Sequence, residues 1–398
     1  MKYKHMNKVV VGISGGVDSS VAAILLKEQG YDVEGLFMIN WKDNNEGVLT
    51  SRCTWEDDLD IANIVAKQLD IKLHVVDFSE EYKKRVVDYL FAEYEAGRTP
   101  NPDILCNREV KFDVLYEKAK ELGADFVATG HYCRKTSKTI DGKTYHQLLA
   151  GEDKNKDQSY FLCQLSQLQL SQALFPIGHL TKPEVRELAA KHGLSTAQRK
   201  DSQGICFIGK VDLPTFLQQK LSTNKGNVIE IPADFAEKKQ LGEFCEENIK
   251  KFCSAFPYKP WNGKIIGEHN GAHFYTIGQR KGLNIGGHKA PLFIIATDAK
   301  RNIIYVGEGE NHKGLYRQGL FIHKENVHLV RPDHTIKIDG NRKYLARVRY
   351  RQALEAVRIF SKEDGYYLVF DRPQRGIASG QFAAWYDGDE LIGSGVID

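Results

Sequence analysis

No stretch of this 398-residue chain approaches the roughly 18 consecutive apolar residues of a membrane-crossing helix. Met1 to Lys8 is too short and polar for a secretory leader, and a strand-like run follows at once. No CxxC pair occurs, which argues against zinc; no metal-ligand set is expected. The seven cysteines are odd in number and scattered. That disfavours a disulfide framework and points to thiols in a reducing, cytoplasmic setting with no membrane partner. There is no internal repeat and no low-complexity tract. A net charge of +3 is too small to attract nucleic acid in bulk, so any RNA surface must be a local patch. With 42% hydrophobic and 27% charged residues, the chain reads as globular, not disordered, collagenous or coiled-coil. At about 150 residues per domain, two or three domains are expected.

The first half alternates buried strands with amphipathic helices. Lys8 to Ile13, Asp32 to Met38, Leu73 to Val76 and Asp125 to Thr129 read as strands. Ser19 to Gln29 (closed by Gly30), Trp55 to Leu69, Arg85 to Tyr94 and Val110 to Glu121 read as helices. This order implies βαβ units, a parallel sheet and ligands at the carboxyl ends of its strands. Beyond residue 210 the texture changes. Asn224 to Tyr258 is Lys/Glu-rich and ambiguous. From Gly263 short β-type runs alternate with Gly and Asn, including Ile265-Ile266, Phe274 to Ile277, Phe293 to Ala296, Ile303 to Val306, Tyr344 to Tyr350 and Tyr366 to Phe370. They suggest small β modules and a barrel. The expected divisions are 1–209, 210–289 and 290–398.

Ser14-Gly15-Gly16-Val17-Asp18-Ser19-Ser20 joins the first strand to the first helix. Two glycines allow a tight turn and close approach to an anion, and the helix start aims N–H groups and a positive dipole end at it. The loop has neither the spacing nor the lysine of a Walker A motif, and it is not GxGxxG. Asp18 beside a phosphate makes chemical sense only with an intervening cation such as Mg²⁺. The segment resembles the PP-loop of the ATP pyrophosphatases, which cleave ATP to AMP and pyrophosphate. That resemblance implies the reaction type; the glycines alone imply phosphate binding.

Two further segments carry cysteines. Cys106 lies in GRTPNPDILCN, read as a rigid loop leading to a helix that resumes after Glu109, so its thiol stands at a helix mouth. Asp103 is close enough in sequence to act as a proton acceptor. Cys206 lies in KDSQGICFIG, read as an exposed loop whose thiolate could carry persulfide sulfur. Cys53, Cys163, Cys245 and Cys253 read as inert small hydrophobes; Cys133 stays undecided. GISGGVDSS, GRTPNPDILCN, TGHY, NKDQSYFL, DSQGICFIG, FYTIGQRKGL and VRYRQ follow one another as in the tRNA 2-thiouridylase family, and the resemblance covers nearly the whole chain.

The resemblance implies an α/β PP-loop domain followed by a small central domain and a C-terminal β-barrel. It implies a sulfurtransferase that adenylates wobble uridine 34 at O2 and delivers sulfur to C2, giving 2-thiouridine, AMP and pyrophosphate. ATP with Mg²⁺ would be co-substrate, bound by Gly12, Ile13, Ser14, Gly15, Gly16, Val17, Asp18 and Ser19, with Met38 on the adenine side and Gly130. Asn101, Pro102 and Asp103 would receive the flipped base, and flipping is required to expose O2 and C2. Cys206 would carry the persulfide, Cys106 would resolve it through a transient disulfide, and Asp103 would serve as base or positioner. Lys156, Asp157, Gln158, Arg349, Tyr350 and Arg351 would contact tRNA, with Lys, Glu and Gln acceptors implied. A sulfur donor protein or cysteine desulfurase would be the second partner.

Independently, Asn341 to Arg351 contains five cations and no acid. As a strand it would line Lys343, Leu345, Arg347, Arg349 and Arg351 along one face, spaced to track phosphates; Gln279-Arg280-Lys281 adds a basic turn. The stretch from Gly226 to Trp261 is longer than the family's usual link, and Cys245 and Cys253 have no family role there. Two other readings stay open at this point. One is an amidating ligase of the PP-loop class, in which Cys106 and Cys206 are dispensable. The other is an ATP-gated RNA-binding protein that releases no AMP.

Overall fold

The computed structural model describes residues 6–42, 54–200, 213–218, 220–238 and 244–398. Its first sheet contains β1 (Lys8–Gly12), β2 (Asp32–Ile39), β3 (Leu73–Asp77) and β4 (Phe126–Ala128). A hairpin of β5 (Cys133–Ile140) and β6 (Lys143–Ala150) follows, and then β7 (Ala173–Leu174) returns to the first sheet. The strand order β3-β2-β1-β4-β7 is parallel throughout. Alternation along β1 sends Val9 and Val11 into one core, with helix Val17–Glu28, and Val10 into another, with the helices of residues 79–121. Fully burying each such valine contributes roughly 1.5–3 kcal/mol. The strand order reverses between β1 and β4, so their carboxyl ends, Gly12 and Ala128, frame the crevice where ligands of such sheets bind.

One helix starts earlier than the sequence suggests. Asn101 caps it, its side chain accepting from Ile104 N at 3.4 Å, and Pro102 takes the first helical position. From there the chain stays helical to Glu121, with a π-helical stretch at Cys106–Val114. Cys106 is therefore inside a helix, not at the mouth of a later one.

Four strands form a second sheet in the order β10-β11-β8-β9: β8 (Gly226–Glu230), β9 (Lys264–His269), β10 (Leu292–Asp298) and β11 (Ile303–Glu308). The division expected near residue 289 thus falls inside this sheet, because β10 and β11 pair with strands that precede it. Phe274 to Ile277, expected as β-type, forms no strand: a 3₁₀ turn covers Ala272–Phe274. Gly271 (φ +141°) and Gly278 (φ +86°) bracket the run, and the Gln279 side chain accepts from Thr276 N at 3.1 Å. Phe274, freed from a ladder, is buried in the first domain's core beside helix Asp88–Glu95.

The remaining strands are β12 (Tyr316–His323), β13 (Val327–Leu329), β14 (Asn341–Arg347), β15 (Glu355–Lys362), β16 (Gly365–Arg375), β17 (Phe382–Asp387) and β18 (Glu390–Val396). They form an antiparallel barrel around Trp385, Leu368 and Phe370, and Asp398 N donates to Phe321 O at 3.1 Å across its seam. β6 adds the early hairpin to β18. The Lys/Glu-rich stretch supplies β8 and then a short helix, Ile249–Cys253, which packs outside the barrel on Phe360 and Tyr367. Among the described residues no helix is long and apolar enough to cross a membrane.

Candidate active site

The loop after β1 is shaped by its glycines. Gly15 has φ +70°, and a Cβ there would lie 2.5 Å from Asp58 O. Gly16 caps helix Val17–Glu28, whose first N–H groups lack intrahelical acceptors and face the loop. Ser14 N donates to Ser19 Oγ (3.2 Å), and the two hydroxyls lie 3.3 Å apart. The Ser20 hydroxyl is fully buried and donates to Gly16 O at 2.8 Å, so it braces the helix instead of facing a ligand. Gly130, after β4, fits against the same turn: a Cβ would come within 2.7 Å of Asp18 C and Ser19 N.

Asp18 has its cation built in. Lys182 Nζ lies 2.7 and 2.9 Å from the two carboxylate oxygens, and Tyr132 OH donates to Oδ1 at 2.7 Å. The Lys182 side chain is only 10% exposed. The ammonium paired with Asp18 thus comes from 164 residues further along the chain. Lys182 opens helix Lys182–Lys191, and its backbone N donates to Asp153 Oδ2 at 3.0 Å. Arg199 grips the loop from the other side: Nη1 donates to Gly15 O at 2.6 Å, and Nη2 pairs with Asp58. Sequence reasoning missed Lys182 and Arg199, since a lone cation carries no local signal. Tyr132 could have been found, as the last residue of TGHY.

Met38 lies within β2 and is buried in the cluster that also holds Phe78, Tyr82 and Cys106. Ile13 and Val17 are core residues flanking the loop. The helical run bearing Cys106 also carries Leu115, whose Cδ2 would lie 3.5 Å from a Cβ on Gly12. The nucleotide loop and this cysteine therefore share one scaffold. Cys106 is fully buried one turn beyond the Asn101 cap. Asn107 Nδ2 donates to Asp103 O (3.0 Å) and Phe161 O (3.2 Å), and the Phe161 ring packs tilted against Tyr350 at 4.3 Å between centroids. Cys206 and its DSQGICFIG segment lie outside the described residues, as does Cys53. Burial pushes the thiols of Cys163 and Cys253 up to about 12 and that of Cys133 well above its usual value, so these are packing groups.

The residues expected against tRNA divide. Asp157 is buried, not surface-facing: it accepts from Arg347 Nη2 (2.5 Å), Gly151 N (3.1 Å) and Ser159 N (3.0 Å). Arg347 Nη2 also donates to Tyr386 OH at 2.8 Å. Burial disfavours the guanidinium's charge, but Tyr386 and Asp157 outweigh it and raise the Arg347 pKa. Gln158 is committed to Tyr132, its Oε1 accepting from that residue's N at 3.0 Å. The expected cationic row is interrupted. β14 ends at Arg347, which turns inward, and residues 348–352 form a turn in which Val348 N donates to Gln352 Oε1 at 3.1 Å. Arg349 Nη2 donates to Ile277 O and Gly376 O, both at 2.8 Å, joining the segment after Phe274 to the barrel. Lys343, Arg351, Arg280 and Lys281 remain exposed, and Lys156 is half-buried beside Tyr350.

Three family models match in order: a tRNA methyl transferase HUP domain at 7–210, a tRNA methyl transferase PRC-barrel domain at 257–308 and an aminomethyltransferase beta-barrel domain at 318–397. The tRNA-specific 2-thiouridylases MnmA of Christiangramia forsetii and Flavobacterium johnsoniae are each 55% identical over 395 residues, 98% of this chain and all of theirs. That of Pseudomonas paraeruginosa is 44% identical over 98% of this chain and 94% of its own. The chain belongs to the tRNA-specific 2-thiouridylase family. The domain descriptions speak of methyl transfer, but the full-length relatives decide between the two, since they match every segment at once. This chain is accordingly a transferase of the thiouridylase type, and the PP-loop domain, PRC-barrel-like sheet and β-barrel are its family architecture.

Proposed function

We propose that this protein thiolates the wobble uridine of tRNA at C2, in the cytoplasm, at the cost of one ATP converted to AMP and pyrophosphate. One observation carries the reading: the anion-binding loop and the helix of Cys106 are packed on the same strand, with Leu115 against Gly12. ATP enters with Mg²⁺ as part of the substrate. Its phosphates face Gly12 to Ser19 and the helix start, with Met38 and Gly130 bounding the nucleotide. The flipped uridine meets Asn101, Pro102 and Asp103. O2 attacks the α-phosphorus, pyrophosphate leaves, and C2 now bears AMP as its leaving group. The terminal sulfur of a Cys206 persulfide attacks C2. The Cys106 thiolate then attacks Cys206 Sγ, forming a disulfide and breaking the persulfide S–S bond. AMP departs, sulfur stays on C2, and a thiol reductant restores both cysteines. Asp103 serves as base or positioner.

Exposed cations at Lys343, Arg351, Arg280 and Lys281 support tRNA contact along the barrel and the central sheet, with Lys156, Arg349 and Tyr350 nearer the base. The sulfur reaches Cys206 from a donor protein or a cysteine desulfurase. The test supplies purified protein with ATP, Mg²⁺, a persulfide donor and unmodified tRNA, and analyses the nucleosides. Thiouridine that vanishes in both Cys106→Ser and Cys206→Ser proteins is expected. Thiolation that survives the double replacement refutes the mechanism. AMP release driven by a small amine or acid favours a ligase, and stable RNA binding without AMP favours a non-turnover binder.

A further inference from the structure

The segment that leads into Asn101 is poor in hydrogen-bond donors. Pro100 and Pro102 have no N–H, so residues 99–102 cannot form a ladder of their own. Their carbonyls still need partners. Those partners come from the far end of the barrel. Gln381 Nε2 donates to Thr99 O (3.0 Å) and to Pro100 O (3.2 Å), and Thr99 N donates to Ser379 O (2.8 Å). Two carbonyl acceptors fix which way the Gln381 amide faces. Gly380 between them has φ +87°, and a Cβ there would lie 2.9 Å from Thr99 N, so no other residue lets this turn approach. The turn is itself held: Gly380 N donates to Ile397 O, and Ile397 N donates to Gln381 O.

We propose that Gln381 is a positioning residue for the reaction: the barrel sets the location of the target-base segment through this amide. The inference rests on the thiouridylase reading for its kinetic consequence, though not for its structural one. Asn101 follows the clamped carbonyls directly, caps the helix, and so fixes Asp103 and Cys106. A barrel that only bound RNA would have no need to supply donors here. Displacing a reacting group by 1 Å can cost about 10²-fold in rate.

The experiment compares full-length wild type with Gln381→Glu, Gln381→Ala and Gln381→Lys. The carboxylate faces two carbonyls with lone pairs only, alanine removes the donor, and lysine restores one. Gln381→Glu and Gln381→Ala should lower the thiolation kcat about 10- to 100-fold, with unchanged Tm and affinities for ATP and tRNA; Gln381→Lys should recover most of it. Amide hydrogen exchange, which needs no turnover, should accelerate at Ile104 to Asn107 in Gln381→Glu while barrel amides stay protected. Unchanged exchange at Ile104 to Asn107 overturns the proposal whether or not thiolation is seen. So does a kcat loss matched by equal losses of tRNA affinity and Tm that lysine does not restore. A wild type that makes no thiouridine refutes the functional reading, and the exchange result still decides the role of Gln381.

Discussion

A lysine paired with the acid of a phosphate loop changes what that acid can do. With Lys182 on both oxygens of Asp18, the loop carries little net charge before nucleotide arrives. Lys182→Met leaves the carboxylate facing the triphosphate, and ATP affinity should fall by about ten-fold, about 1.4 kcal/mol, in isothermal titration. Adenosine, which brings no phosphate, should bind as before. The buried thiols give a second check. Cys163 and Cys253, pushed up to about 12, should resist iodoacetamide at pH 8 in the native protein and react once it is unfolded. Native labelling at either position would show that its surroundings open readily. The SGGVDSS loop was legible because its chemistry is local. Lys182 and Arg199 were not, because a contact across 164 or 184 residues leaves no trace in a window of ten.

At the scale of elements, the strands of the first sheet announced themselves as apolar runs, and β1 to β4 lie within a residue or two of where the sequence suggests. Misreadings arose where proline and glycine had two meanings. Pro102 begins a helix instead of stiffening a loop, since the missing N–H costs nothing at the first position. The run at Phe274 looked β-type but is pinned between two left-handed glycines. The β5–β6 hairpin offers a pH test. Burial lowers the Lys135 amine to about 8, and its Nζ donates to Leu170 O at 3.0 Å. Between pH 8 and about 10.4 the unfolded chain binds more protons than the folded one at this site, so its contribution to stability rises with pH there. Urea midpoints of wild type, relative to Lys135→Met, should climb across that window and level off above it.

Across the whole molecule, the N-terminal domain and the barrel are tied together by charge. Asp157 from the nucleotide domain and Arg347 from the barrel form a buried pair with Tyr386. Arg347→Met strands the Asp157 carboxylate and should cost about 3–5 kcal/mol, read as a fall in urea midpoint. Adding Asp157→Asn should recover much of that loss, and a double variant as unstable as the single one would place the cost in packing instead. Three modules were visible in composition, but not the division of strands among them. The sheet of β8 to β11 is assembled from both sides of the expected border.

Phe274 has a practical consequence for dissection. Its ring fills a socket in the nucleotide domain alongside Phe216 and Leu217, all supplied by chain beyond residue 210. A truncated fragment stopping there would leave those sites to solvent, next to the helices that carry Cys106. Such a fragment should aggregate or bind ANS dye, and cysteine reactivity measured on it would describe a different environment from the intact enzyme's.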